Sequence, residues 1–276
     1  MKNREKVRDS VVSGQFYPDR PSALEKEIKT FLSGAAAVCD PLTCGLIVPH
    51  AGYMYSGRVA AEAFRTIQDT GFETVVIVAF LHRIFIRGVF IDDADSYETP
   101  LGRVPVDRES AAAVREASPC LGEVIPDELN EHSLEIQLPF LQVALKKFKL
   151  LPVYIGEQSL ENAEALAAAL EKFFAGKKVL FVFSTDLSHF HPYTEAVKMD
   201  QKLLRLIGDR DLARIGRLGH AGEIEACGLG PVITSLFLAE RMGWEGPRLL
   251  KYANSGDVTG EKSSVVGYAA MSYRKE

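Results

Sequence analysis

Three runs of apolar residues, "GLIVP" (45–49), "TVVIVAF" (74–80) and "KVLFVF" (178–183), show no alternation between polar and apolar positions. A strand with one wetted face alternates, so unbroken runs of this kind need cover on both faces, as in a sheet held between layers of helices. Helical stretches separate the runs, and no repeat or low-complexity segment interrupts them. The pattern predicts an α/β fold: a three-layer α/β/α sandwich around a mixed, mostly parallel sheet. A chain of 276 residues, 47% of them hydrophobic, can bury such a core. No polar linker marks a boundary, so residues 1–276 are expected to form a single domain, with residues 1–9 as a flexible N-terminal extension.

Local signals fill in the remaining elements. The first run leads into a helix expected over 57–70. "NEHSLEIQLPFLQVALKKF" (130–148) reads as a helix capped by Asn130 and kinked near Pro139, and "LENAEALAAALEKFFAG" (160–176) as a helix ending at Gly176. "LLPVYIG" (150–156) is a strand between them, and "SSVVGYAAMSY" (263–273) is a late strand. Turn chemistry at Pro100 and Gly102 makes "DDADSYETPLGRVPVD" (92–107) a hairpin or edge excursion, which leaves the sheet mixed.

The net charge of −5 provides no broad basic field, and the densest cationic stretch, "LKKFK" (145–149), reads as a solvated helix terminus. Nucleic acid is therefore not an expected partner. The charged start "MKNREKVRDS" lacks the apolar core of a signal peptide, and the apolar runs are too short to span a bilayer. A cytoplasmic protein that avoids membranes is the expectation. Cys39, Cys44, Cys120 and Cys227 are sparse and irregularly spaced, which argues against a disulfide framework and for reduced thiols.

Chemistry gathers where the apolar runs stop. His50 follows the first run and His82 the second, so both rings lie at strand C-termini; if those strands are parallel neighbours, the imidazoles share the rim where open α/β sheets hold ligands. Taken singly, each histidine could equally be a hydrogen-bonded loop residue. The third run ends in "STDLSHFH", and a single helical turn there would set Asp186 and His189 on one face, as metal ligands or as a carboxylate orienting an imidazole. His191 precedes Pro192 and is expected to face solvent. Cys227 stands just before Gly228, Gly230 and Pro231, the expected start of a helix running to 242, where the helix dipole favours the thiolate. Inert burial is the competing fate of a free cysteine. "NEHSLEIQ" offers His132 and Glu135 at an i, i+3 spacing, and Tyr53 and Tyr55 are expected to line a pocket beside His50.

The order of "SGQFYP" (13–18), "VPHAGYMYSG", "ETPLGRVPVD", "EHSLEIQLPFLQ", "STDLSHF", "CGLGP" and "YANSGDVTGEKSSVVGYAAMSY" resembles the Memo family, called AmmeMemoRadiSam system protein B in microbes. The likeness runs from residue 10 to the C-terminus. It implies a fold like that of LigB-type class III extradiol dioxygenases and a metal pocket in which His50, His82 and Cys227 are the ligands, with Asp186 and His189 beside them. One departure stands out: the family has a Gly-Pro-Ser-His type of sequence at the second histidine, whereas this chain reads Ala79-Phe80-Leu81-His82, which puts the orientation of His82 in question.

Together these features imply a dioxygenase-like, non-haem metal protein, with Fe(II) as the expected cofactor and copper or zinc as alternatives, because a thiolate is softer than the usual carboxylate. In an O2-dependent oxidation of a small substrate of catechol type, His189 or His132 would shuttle protons and Asp186 would support them. A second reading is non-catalytic: the same ligands hold iron or copper, or the chain serves a partner, radical-SAM and AMMECR-type proteins being implied by the resemblance. In a third, Cys227 is a nucleophile activated by His189 without metal, which requires the two within hydrogen-bond reach. Substrate and oligomeric state are not encoded in any feature above.

Overall fold

The computed structural model describes residues 5–118, 121–122 and 130–275. Its strands are β1 (Val7–Arg8), β2 (Thr43–Val48), β3 (Thr74–Phe80), β4 (Val89–Ile91), β5 (Ser96–Thr99), β6 (Gly102–Pro105), β7 (Leu121–Gly122), β8 (Lys149–Ile155), β9 (Val179–Ser184), β10 (His189–His191), β11 (Trp244–Asn254) and β12 (Val265–Lys275). Its helices are α1 (Pro21–Ser33), α2 (Tyr53–Thr66), α3 (Arg108–Ala117), α4 (Leu138–Leu145), α5 (Leu160–Phe174), α6 (Tyr193–Gly208), α7 (Leu212–His220), α8 (Leu229–Met242) and α9 (Ser255–Thr259).

The main sheet has the order β10, β12, β2, β9, β3, β8, β4, β7, with β11 added against β12. β2, β9, β3 and β8 run parallel at its centre, while β12 and β4 pair antiparallel on either side, so the sheet is mixed. The physical basis of the unalternating runs is visible along β3: Val75, Ile77 and Ala79 enter one apolar cluster with α1, α2 and α4, while Val76 and Val78 enter a second with α5 and α8. Successive side chains point to opposite faces of a strand, so cover on both faces demands apolar residues at every position. The α/β/α sandwich follows. β5 and β6 form the expected hairpin, which joins β1 in a separate three-stranded sheet.

Several expectations need correction. β2 and β3 are not neighbours, because β9 lies between them and pairs with both. α2 starts at Tyr53, directly after Gly52, rather than at 57. Asn130 caps nothing: a 3-10 turn, Glu135–Gln137, opens the segment, and α4 begins only at Leu138, with Pro139 in its first turn, where a missing N–H costs no hydrogen bond and no kink results. Within the expected flexible extension, Val7 and Arg8 pair in parallel with Ser96 and Tyr97. Cys120 lies outside the described residues. Among the described residues, no helix is long and apolar enough to cross a membrane.

Candidate metal centre

The insertion of β9 places its last residue, Ser184, between the two histidine-bearing strand ends. His50, almost fully buried at 2% exposure, has its Nδ1 3.0 Å from Ser184 Oγ. Ser184 spends its single proton on the carbonyl of Ser133 (2.6 Å) and accepts from Gln137 Nε2 (2.9 Å). The imidazole must therefore be the donor at Nδ1, which leaves the lone pair on Nε2. That nitrogen faces Cys227 Sγ at 3.1 Å. Burial, then the neighbouring His82 and His132, hold the His50 imidazole well below its ordinary pKa, so it is neutral, as a ligand must be.

His82 is oriented by a residue that the sequence reading passed over. Glu131, buried beside it, accepts from the His82 backbone N–H (2.7 Å), from His82 Nδ1 (3.1 Å), and from the N–H groups of His132 and Ser133 (both 2.9 Å). Burial pushes this carboxyl up, but the hydrogen bonds from His132 and His82 overcome it and keep the group ionised. An ionised carboxylate only accepts, so His82 Nδ1 carries a proton and Nε2 lies on the side of the ring away from Glu131. The orientation left in question by Ala79-Phe80-Leu81 is thus set by Glu131. His132 makes the same choice, its Nδ1 lying 3.3 Å from Glu131 Oε1. The rings of His50, His82 and His132 form a triangle with centroids 5.0 to 5.5 Å apart.

Cys227 arrives from the loop before α8. Its backbone N–H donates to the carbonyl of Asp186 (3.2 Å), the Asp186 N–H donates to Sγ (3.1 Å), and Gln158 Nε2 donates to its carbonyl (3.0 Å). Gly228 permits the approach, since a Cβ there would overlap the carbonyl oxygen of Ser184. Burial first, and then the Asp186 carboxylate, push the thiol above its ordinary value. This corrects the expected thiolate, because the dipole of α8 does not outweigh those two effects. The acceptors within reach of the thiol are His50 Nε2 at 3.1 Å and the Asp186 carbonyl at 3.6 Å.

Ligand atoms of His50, His82 and Cys227 all lie within 4.8 Å of one another. Nitrogen and sulfur bound to one tetrahedral ion stand about 3.5 Å apart. The donor set fits a transition metal: two imidazoles whose Nδ1 atoms are committed to Ser184 and Glu131, and a thiol whose proton an ion would displace. His82, Glu131 and His132 form a second close group. Its carboxylate is already filled by N–H donors, so we read it as an orienting cluster rather than a chelate.

Around these residues, Asp186 is buried and accepts from the His50 N–H (2.8 Å), its Oδ2 lying 4.0 Å from His50 Nε2. Burial raises its pKa, against the N–H hydrogen bonds. His189 donates Nδ1–H to the carbonyl of Leu187 (2.8 Å) from strand β10. The expected helical turn between Asp186 and His189 is absent; extended chain joins them. His191 does not simply face solvent as expected: it is half-buried and its Nε2 pairs with Glu225 at 2.9 Å.

A family model described as Memo-like protein matches residues 8–272. The chain belongs to the Memo family. Similar curated proteins include a "MEMO1 family protein" of Methanococcoides burtonii, 38% identical over 268 residues (96% of this chain, 99% of that one), and one of Methanosarcina mazei, 36% identical over 272 residues (96% and 98%). A solved structure, of uncharacterized protein JW3007 from Escherichia coli K12, aligns at TM-score 0.46 and 13% identity over 83% of this chain and 99% of that one. That likeness is too weak to bear on activity.

In this Memo-family chain two expected pocket residues do other work. Both Glu135 oxygens are taken, by the N–H groups of Val11 and Val12 and by Tyr17 Oη, so Glu135 anchors the N-terminal segment. Tyr53 is buried among Tyr17 and Phe140, its hydroxyl donating to the Ile136 carbonyl (2.9 Å). Tyr55 packs half-buried against the same core. The anchored segment explains the "SGQFYP" motif: it sets the Phe16 ring edge-on to His132, centroids 5.1 Å apart. Glu131, Ser184 and Gln137 are the residues missed or left without roles; the signal for Glu131 was a carboxylate directly preceding a candidate histidine.

Proposed function

We propose that this protein holds a non-haem metal ion, iron(II) first and copper or zinc next, through His50, His82 and Cys227, and uses it in a dioxygenase-like, O2-dependent oxidation of a small substrate. The observation that carries this reading is the convergence of three donor atoms from separate strand ends and a helix mouth, two of them with lone pairs aimed by Ser184 and Glu131. When bound, the ion would supply Lewis acidity and a template for two reactants. The chain's own part is to orient and to move protons. His132, with its proton held at Nδ1 by Glu131, presents Nε2 as an acceptor beside the ligands. His189 is held likewise by the carbonyl of Leu187, and Asp186 fixes the His50 backbone between them. The side chain of His82 is 24% exposed, which leaves that flank open for substrate entry. Radical-SAM and AMMECR-type partners belong to this proposal as the source or destination of that substrate.

One observation favours a second reading, metal holding without turnover: the sulfur ligand suits a soft ion such as Cu(I). The nucleophile reading is weakened. The imidazole on the sulfur is His50, not His189, and burial disfavours charge on both members of that pair. The test is metal analysis of protein purified without oxygen, then oxygen uptake with a panel of catechols. Bound iron with uptake that stops on chelation is the expected result; bound metal with no uptake for any catechol supports the second reading. Rapid alkylation of Cys227 with activity that survives chelation would overturn both.

A further inference from the structure

At the opposite end of the central strands, a cavity of about 410 Å³ opens between the β5–β6 hairpin, the end of α4 and the start of β8. Its size is that of small-molecule sites. We infer that it is a second binding site, for a small amphipathic anion: an aromatic or aliphatic body carrying a carboxylate, sulfonate or phosphate.

The walls are built and held. Gln142 Oε1 accepts from Thr99 Oγ1 (2.7 Å) and its Nε2 donates to the Gly102 carbonyl (3.0 Å), which locks α4 to the hairpin. Val106 bridges to Leu150, which fixes the hairpin against β8. The apolar lining is Val104, Pro105 and Phe148, with Val104 and Phe148 buried at 2% and 7% exposure. Four cations, Arg103, Lys146, Lys147 and Lys149, meet one lining carboxylate, Glu73. Arg103 is engaged by Glu98 and Glu5, and Lys146 by Asp69. Among the described residues, Lys147 and Lys149 have no carboxylate partner. In a chain of net charge −5, two unpaired ammonium groups beside an apolar floor form a positive patch of the kind that attracts an anion with an apolar body. β3, seven residues long, separates Glu73 at this end from His82 at the other, a span of about 23 Å, so the site is distinct from the metal centre.

The test is isothermal titration of the full chain with 2-naphthoate, with naphthalene-2-carboxamide, acetate and an oligoglutamate peptide as comparisons, in wild type, the Lys147→Glu/Lys149→Glu double variant and His50→Ala. Both lysines are exposed, so the double variant should fold, which a thermal melt checks. The inference expects 2-naphthoate to bind more tightly than amide or acetate, the double variant to weaken it by roughly tenfold, and added salt to do the same. His50→Ala should leave it unchanged. Equal binding by the neutral amide, no change in the double variant, or loss in His50→Ala would overturn the site. Tighter binding of oligoglutamate than of naphthoate would overturn the ligand class in favour of an acidic peptide.

Discussion

The two ends of the parallel strands treat polarity in opposite ways. At the C-terminal rim His50, Ser184, Asp186 and Glu131 are buried, and hydrogen-bond directions pass without ambiguity from Gln137 and His50 through Ser184 to Ser133, and from His82 and His132 to Glu131. At the N-terminal rim the charges pair in the open, as Lys146 does with Asp69. Buried polar groups must be satisfied, so each fixes the protonation of the next; exposed ones have water as an alternative partner and fix little. The difference identifies the C-terminal rim as the place where geometry is enforced.

Substitutions should reproduce that contrast. Gly228→Ala, which drives a methyl into the backbone at Ser184, should cost about 3 kcal/mol in a denaturant melt and separate Cys227 from His50. A melt within 0.5 kcal/mol of wild type would mean that the loop is not held as described. Glu131→Gln replaces an acceptor-only group with one that also donates; added Zn²⁺ or Fe²⁺ should bind about 10–100-fold more weakly in a competition titration. Ser184→Ala strands the Nδ1–H of His50 and one N–H of Gln137, whose other N–H stays on the Pro49 carbonyl, with an expected loss of about 1–2 kcal/mol. One layer behind this rim, Asp200 accepts from the Ser188 N–H and Tyr252 Oη, and burial, despite those bonds, raises its pKa. In the unfolded chain this carboxyl deprotonates first, so wild-type stability should fall relative to Asp200→Asn as pH rises from the ordinary carboxylate range through the raised value. Parallel stability curves for the two proteins across that window would contradict it. At the other rim, Asp69→Asn should change stability by no more than about 0.5 kcal/mol.

The fold was legible because burial on both faces leaves a mark on every residue of a strand, as along β3. The strand order was less so: nothing in the segments themselves says that β9 inserts between β2 and β3, since that depends on where the crossovers pack. The ligand candidates His50, His82 and Cys227 stood out because strand ends and a helix mouth are local features. Glu131 escaped because its role lies in contact with His82, 49 residues away in sequence. Glu135 and Tyr53 misled for the same reason: an acid at a helix start and a tyrosine near a histidine look alike whether they face a pocket or, as here, one holds the N-terminal segment and the other packs against it.

X-ray absorption at the metal K-edge, on protein loaded with iron or zinc and on its Cys227→Ser variant, reads the ligand shell itself. Imidazole scattering plus one sulfur at about 2.3 Å, with the sulfur lost in the variant, is the outcome predicted by convergence of His50, His82 and Cys227 on one ion. A shell of oxygen and nitrogen alone, unchanged by the substitution, would contradict it.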